Sequence, residues 1–156
     1  DPIADKAMVV IALAVIIGFS GMTAWIILPA TVILFREIFV SGLREFLGAR
    51  AGTLKVTRLA KWKTTVQMVA IAVLFAQGIF EHHMGMQIFA LGEELAADIL
   101  AGRAEDATGL RRLYEGMVAA WYGGIALLWV AAALTLASGW DYFRKALPYL
   151  RDEVMS

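Results

Sequence analysis

Two acidic residues at the start of the chain have the types and the spacing needed for chemistry. The chain begins DPIADK, so Asp1 and Asp5 are four residues apart, and an uncharged apolar run over 7–17 follows them. If this run is helical, the two carboxylates lie on one side of its first turns. Acids at the mouth of a membrane helix are costly, which makes a functional role the default hypothesis. Carboxylates suit hard cations such as Mg²⁺ or Mn²⁺, so the pair is a candidate metal site.

The composition is that of a small membrane protein. Of the 156 residues, 60% are hydrophobic, and the mean hydropathy is +0.70, which lies outside the range of soluble globular proteins. There is no cysteine, which excludes disulfides, thiolate metal sites and a cysteine nucleophile.

Four apolar segments are predicted to cross the membrane, which places the chain in the all-α class as a polytopic transmembrane helix bundle. They run over about 5–17, 22–40, 65–80 and 117–139, close to the ~20 residues that a spanning helix needs. Pro29 lies inside the second segment and predicts a kink. Residues 86–100 have apolar side chains at helical spacing, which predicts an amphipathic helix lying on the membrane surface.

The charges of the two long connections predict the orientation of the bundle. The connection over 41–63 carries six basic residues against one acid, whereas that over 81–116 carries seven acids against three basic residues. By the positive-inside rule the first faces the cytoplasm and the second faces outward. The basic tail after Trp140 returns to the cytoplasmic face, where Asp1 and Asp5 also lie.

Basic residues at this face are candidates for binding phosphate, since arginine forks and lysine charges suit phosphate oxygens. The candidates are Arg36, Arg44, Arg58, Lys61 and Lys63. Arg36 is distinctive because it lies on an apolar helix, where it must snorkel, pair with Glu37 or face a polar cavity. Ordinary contacts with lipid headgroups are the alternative, and we favour that alternative for Arg50 and Lys55.

These motifs resemble the CDP-alcohol phosphatidyltransferase family. DPIADK is similar to the closing half of its signature, D-x2-D-G-x2-A-R followed by G-x3-D-x3-D, with Asp1 and Asp5 as the third and fourth aspartates. The stretches REIFVSGLREF (36–46), RLAKWKTTVQM (58–68), LLW (127–129) and SGWDYF (138–143) agree with the same family. The opening half of the signature is not in this sequence, so residues 1–156 are expected to be the C-terminal part of one membrane domain. The four predicted helices would then belong to a fold of about six.

The resemblance implies phospholipid biosynthesis, in which a phosphatidyl group moves from CDP-diacylglycerol to sn-glycerol 3-phosphate and CMP is released. It implies that Asp1 and Asp5 hold two divalent cations, Mg²⁺ or Mn²⁺, and that Asp5 is also the candidate base. The implied ligands of the acceptor phosphate are Arg36, Arg44, Lys61 and Lys63. The implied location is the bacterial inner membrane, with the active site facing the cytoplasm.

The implied partners are the two substrates, membrane lipids and a second copy in a homodimer, with no nucleic acid. Small residues suited to close helix packing are Ala119, Ala120, Gly123 and Gly124.

Several alternatives stay open. Asp1 as a solvated terminus and Asp5 as a helix cap would explain the acidic pair without chemistry. A family member with another acceptor, such as serine or inositol phosphate, would share the motifs, although the basic cluster favours a phosphorylated acceptor. A non-catalytic bundle would use its charges only to set the helix register. His82 and His83 are expected to be a solvated interfacial pair rather than a metal site.

Overall fold

The computed structural model describes the backbone of residues 2–48, 51 and 58–154, and the side chains of residues 6–48, 51 and 61–150. Asp1, Arg50 and Lys55 lie outside the described residues, and Asp5 and Arg58 are described only as helical backbone. The helices are α1 (Pro2–Phe19), α2 (Ala24–Leu47), α3 (Arg58–Leu91), α4 (Glu93–Leu100) and α5 (Leu110–Val154). The described part contains no strand, which confirms the all-α prediction.

Three helices in the described part are long and apolar enough to cross a membrane. Their spans are Ala24–Leu47, Lys61–Leu91 and Leu110–Leu150, and a shorter apolar helix covers Lys6–Phe19. The predicted polytopic bundle is therefore confirmed, with α1 as its short fourth member. At 34 and 45 residues, α3 and α5 are about 51 and 68 Å long, well beyond the ~30 Å hydrocarbon core.

Helix α5 packs between α2 and α3, and contacts along it give the directions of its neighbours. A side chain on Gly124 would meet Leu74 and one on Gly116 would meet Phe80, so α3 and α5 are antiparallel. The indole nitrogen of Trp129 donates to the carbonyl of Trp25 at 3.0 Å, and Ser138 contacts Arg36, so α2 and α5 are parallel. Fully buried core residues come from α1, α2, α3 and α5, among them Leu13, Ile26, Ala70 and Leu128.

Gly124 has a packing role within the chain. A Cβ atom at this position would lie 2.6 Å from Cδ2 of Leu74, which is too close, so α3 and α5 can approach this closely only because residue 124 is glycine. Gly123 has nothing within 4 Å of its would-be Cβ. Of the two adjacent glycines proposed as close-packing surface, only Gly123 is therefore open to another helix.

The ends of α3 and α5 continue past the membrane span and hold α4. Ala96 and Ile99 of α4 form a second apolar core with Leu110. Gly92 separates α3 from α4 with φ at +83°, a conformation that glycine adopts without strain. The predicted surface helix over 86–100 is consequently divided, since its first part belongs to α3. Apolar residues keep their helical spacing on both sides of Gly92, so the sequence pattern did not predict the break between α3 and α4.

The start of α5 is capped by an acidic side chain. Asp106 accepts the backbone amides of Leu110 at 2.9 Å and Arg111 at 3.0 Å. These hydrogen bonds, that from Arg111 above all, hold the pKa of Asp106 below its ordinary value. The cap satisfies amides that the first turn of a helix would otherwise leave unpaired.

Candidate active site

A cluster of polar side chains lies inside the bundle, where α1, α2, α3 and α5 meet. Its members are Lys6 of α1, Arg36, Glu37 and Ser41 of α2, Lys63 of α3 and Ser138 of α5. We refer to these six residues as the polar cluster.

Glu37 is the centre of the polar cluster. Its Oε1 accepts a hydrogen bond from Nη1 of Arg36 at 3.2 Å and another from Nζ of Lys63. The side chains of Lys63 and Glu37 are only 7% and 15% exposed. Because an unpaired charge is costly at such burial, the two cations and the carboxylate hold one another in place.

Ser41 connects α1 to this ion pair. Nζ of Lys6 donates to Oγ of Ser41, which donates to the backbone carbonyl of Glu37. Lys6 directly follows Asp5, whose backbone belongs to the first turns of α1. The turn of α1 that carries Asp5 therefore lies at the same end of the bundle as the polar cluster.

Arg36 extends the polar cluster to α5. Its Nη2 donates to Oγ of Ser138 at 3.4 Å, and Ser138 donates to the carbonyl of Thr135 at 3.1 Å. Nε of Arg36 is buried and has no hydrogen-bond partner among the described residues. A buried guanidinium donor normally has a partner, so this N–H is available to an anionic ligand oxygen.

The neighbouring glycine makes room for Arg36. A Cβ atom at Gly139 would lie 2.9 Å from Cγ of Arg36, closer than such atoms approach one another. Any larger residue at position 139 would displace the stem of the arginine and with it the guanidinium.

The four predicted phosphate ligands differ in their burial. Arg36 and Lys63 lie in the buried polar cluster, whereas Arg44 and Lys61 are exposed. The guanidinium of Arg44 lies over the ring of Tyr142, 5.1 Å from its centroid, at the rim of the cluster. Two residues apart on one helix, Lys61 and Lys63 point in different directions. Phosphate binding by these residues stays a prediction.

Sequence reasoning missed several members of this site. Glu37 entered only as one possible partner of Arg36, although an acid inside an apolar helix is itself a signal of function. Ser138 and Gly139 belong to SGWDYF, one of the stretches that resemble the family, but their residue types indicated no role in the site, because small residues are common in membrane helices.

The described residues do not themselves provide a metal site. They contain no group of three or more histidine or acidic side chains that could hold a metal ion. Glu37 belongs to the polar cluster, but two cations already occupy its Oε1. Asp1 and Asp5 remain the predicted metal ligands, with side chains outside the described part. His82 and His83 are both exposed on α3, with ring centroids 5.9 Å apart.

Comparison with known proteins identifies the family. Residues 1–100 match the CDP-alcohol phosphatidyltransferase family. The chain is 60% identical over 154 residues to the CDP-diacylglycerol–glycerol-3-phosphate 3-phosphatidyltransferase of Cereibacter sphaeroides, covering 98% of this chain and 69% of that protein. The chain belongs to the CDP-alcohol phosphatidyltransferase family. All candidate metal and phosphate ligands lie within the matched residues, whereas Ser138 and Gly139 lie beyond them.

Other phosphatidyltransferases with the same name are also similar. That of Rickettsia bellii is 32% identical over 149 residues, covering 96% of this chain and 62% of that protein. That of Haemophilus influenzae is 47% identical over 77 residues, covering 47% of this chain and 40% of that protein. No solved structure matches significantly. With its candidate spans, this phosphatidyltransferase is a multi-pass membrane protein. Its family depends on divalent cations.

Proposed function

We propose that the protein transfers a phosphatidyl group from CDP-diacylglycerol to sn-glycerol 3-phosphate, giving phosphatidylglycerophosphate and CMP in phospholipid biosynthesis. The observation that carries this is the buried pair of cations, Arg36 and Lys63, at the end of the bundle where α1 carries Asp5. Two buried cations against the single carboxylate of Glu37 leave a net positive charge, which suits an acceptor that bears a phosphate. A relative that is 60% identical is named for this acceptor.

The residues of the polar cluster bind and orient the acceptor. Its phosphate binds at Arg36 and Lys63, with the free Nε–H of Arg36 as one donor, and Arg44 and Lys61 attract it at the rim. The primary hydroxyl oxygen then bonds to the phosphorus of the phosphatidyl group, while the bond from that phosphorus to the CMP oxygen breaks. Asp5 accepts the hydroxyl proton. Helix packing around the cluster excludes water, which would compete as a nucleophile.

Asp1 and Asp5 would hold the divalent cations, Mg²⁺ or Mn²⁺. When bound, such cations neutralise negative charge on the oxygens of the pyrophosphate. Asp5 belongs to α1, and the four-residue spacing would bring Asp1 to the same side if the helix extended to it.

The proposal is tested by offering the purified full-length protein CDP-diacylglycerol with different acceptors and measuring CMP release. We expect turnover with sn-glycerol 3-phosphate and little with serine or inositol phosphate. Preference for another acceptor would make the protein a different member of the family. Absence of turnover with any acceptor would instead support a non-catalytic bundle.

Replacement of Gly139 by alanine is expected to weaken binding of the acceptor phosphate, because the new methyl group displaces Arg36. Loss of a charge-assisted hydrogen bond corresponds to ~1.5–3 kcal/mol, or roughly tenfold or more in the KM for glycerol 3-phosphate. The KM for CDP-diacylglycerol should change much less. Gly78→Ala of α3 is the control, since its methyl group would meet nothing. Equal increases in both KM values would contradict the assignment of Arg36.

We further propose that the protein lies in the bacterial inner membrane with the polar cluster facing the cytoplasm, on the charge difference between the two long connections. Single cysteines introduced as Asp98→Cys and Lys145→Cys test this, because these side chains are 47% and 40% exposed at opposite ends of the bundle. An impermeant thiol reagent should label position 98 and not position 145 in intact cells. The reverse pattern would overturn the orientation.

We also propose a homodimer, in which the open surface at Gly123 allows a helix of the second copy to approach closely. The mass of the detergent-solubilised protein tests this, and the mass of a monomer would contradict it.

A further inference from the structure

Tyr142 of α5 is a buried tyrosine whose hydroxyl group is not paired within the described residues. The residue is 6% exposed, and its hydroxyl has no hydrogen-bond partner among the described residues. Buried tyrosine hydroxyls usually have a partner, because water must be removed from them on folding. The unpaired hydroxyl therefore points to a ligand that binds beside it.

Contacts of neighbouring residues place Tyr142 relative to the two ends of the proposed acceptor site, which are the buried cations and Asp5. It follows Ser138 by about one turn of α5, and Ser138 contacts Arg36. Since α2 and α5 are parallel, Tyr142 lies level with Ser41, the residue that binds Lys6. Tyr142 is thus level with the turn of α1 that carries Asp5, one turn away from the buried cations.

Besides Nε of Arg36, three other buried groups in the described residues have no partner. They are the hydroxyl of Thr135 and the side-chain carbonyls of Gln67 and Gln87, of which Gln87 lies near the opposite end of α3. Thr135 precedes Ser138 by one turn and Gln67 follows Lys63 by one turn, so both are deeper in the bundle than the cations. Among the unpaired buried groups of the described residues, the hydroxyl of Tyr142 is the one that lies on the same side of the cations as Asp5.

We infer that the hydroxyl of Tyr142 hydrogen-bonds the hydroxyl group of the acceptor that does not react, and so makes Tyr142 a specificity-determining residue. This rests on the proposed function. With the phosphate at Arg36 and Lys63 and the reacting hydroxyl at Asp5, the three-carbon chain of the acceptor bridges about one helical turn, ~5.4 Å. The central hydroxyl then lies between these two levels, about half a turn from the level of Tyr142. The guanidinium of Arg44 over the ring keeps the tyrosine in this position.

The test compares wild-type full-length protein with Tyr142→Phe, using glycerol 3-phosphate and propane-1,3-diol monophosphate. The second compound keeps the phosphate and a primary hydroxyl but lacks the central hydroxyl. We expect Tyr142→Phe to lower kcat/KM for glycerol 3-phosphate about three- to tenfold, the effect of one neutral hydrogen bond, and to leave that for the analogue unchanged. Tyr122→Phe is the matched control, because this tyrosine of α5 is 69% exposed, and it should alter neither value.

The possible results separate the role of Tyr142 from the proposed function. An equal loss with both acceptors would make Tyr142 merely structural, and no loss with either would remove its hydroxyl from binding. A higher KM for CDP-diacylglycerol with unchanged acceptor preference would assign Tyr142 to the donor instead. Each of these results would contradict the inference about Tyr142. Turnover of glycerol 3-phosphate by the wild-type protein would still support the proposed function. A wild-type protein that uses neither acceptor would overturn the proposed function and the inference with it.

Discussion

Replacement of Asp5 by asparagine is expected to lower turnover by orders of magnitude while CDP-diacylglycerol still binds. Asparagine keeps the size of the side chain but loses the negative charge, so it neither takes a proton from the acceptor nor holds a divalent cation well. General base catalysis alone contributes about 10²- to 10⁴-fold, and loss of a cation would add to this. The measurements are the rate of CMP release by the full-length protein and the binding of CDP-diacylglycerol.

The control for this experiment is Asp141→Asn. Asp141 is exposed on α5 near the same end of the bundle and pairs with Lys145 at 2.6 Å. An exposed ion pair contributes little to stability or to the site, so turnover should stay near the wild-type rate. Near-normal turnover of Asp5→Asn would remove Asp5 from the mechanism and favour its role as a helix cap.

Replacement of Glu37 by glutamine is expected to be the most destabilising single change in the polar cluster. The substitution leaves Lys63 and Arg36 close together without the carboxylate that neutralises them, and Lys63 has almost no access to water. Breaking a buried ion pair by removing one partner costs about 3–5 kcal/mol. Unfolding of the protein in detergent or in bilayers should therefore begin under much milder conditions than for the wild type.

Glu45→Gln is the matched control, because Glu45 lies on the same helix but is exposed. A double variant, Glu37→Leu with Lys63→Leu, separates stability from function. Replacement of both partners by apolar side chains should recover much of the lost stability. The KM for glycerol 3-phosphate should still be higher than that of the wild type, because the double variant lacks the proposed phosphate ligand Lys63. If Glu37→Gln unfolded no more easily than Glu45→Gln, the buried ion pair would not stabilise the bundle.

The membrane helices were predictable because hydropathy is a local property of the chain. Three of the four predicted segments lie within helices of the structure. The second, 22–40, begins two residues before α2, which continues through Pro29. The ends of the helices were not predictable in the same way. Apolar runs mark the part of a helix that lies in lipid, whereas α3 and α5 are longer than the hydrocarbon core is thick. Helix α4 packs against their ends.

Asp1, Asp5, Arg36 and Lys63 were recognisable from residue type and spacing. The two aspartates stand at the start of an apolar segment, Arg36 lies on one, and Lys63 belongs to the basic connection before the third. Their arrangement depends on contacts between distant parts of the chain. Lys63 is 26 residues from Glu37, and Ser138 is 102 residues from Arg36. Periodicity indicates which face of a helix is polar, but the rotation and register of neighbouring helices come from packing, as at Leu74 and Gly124. The tertiary structure alone therefore decided that Arg36 and Lys63 share one carboxylate, and that the hydroxyl of Tyr142, one turn of α5 beyond Ser138, is buried without a hydrogen-bond partner among the described residues.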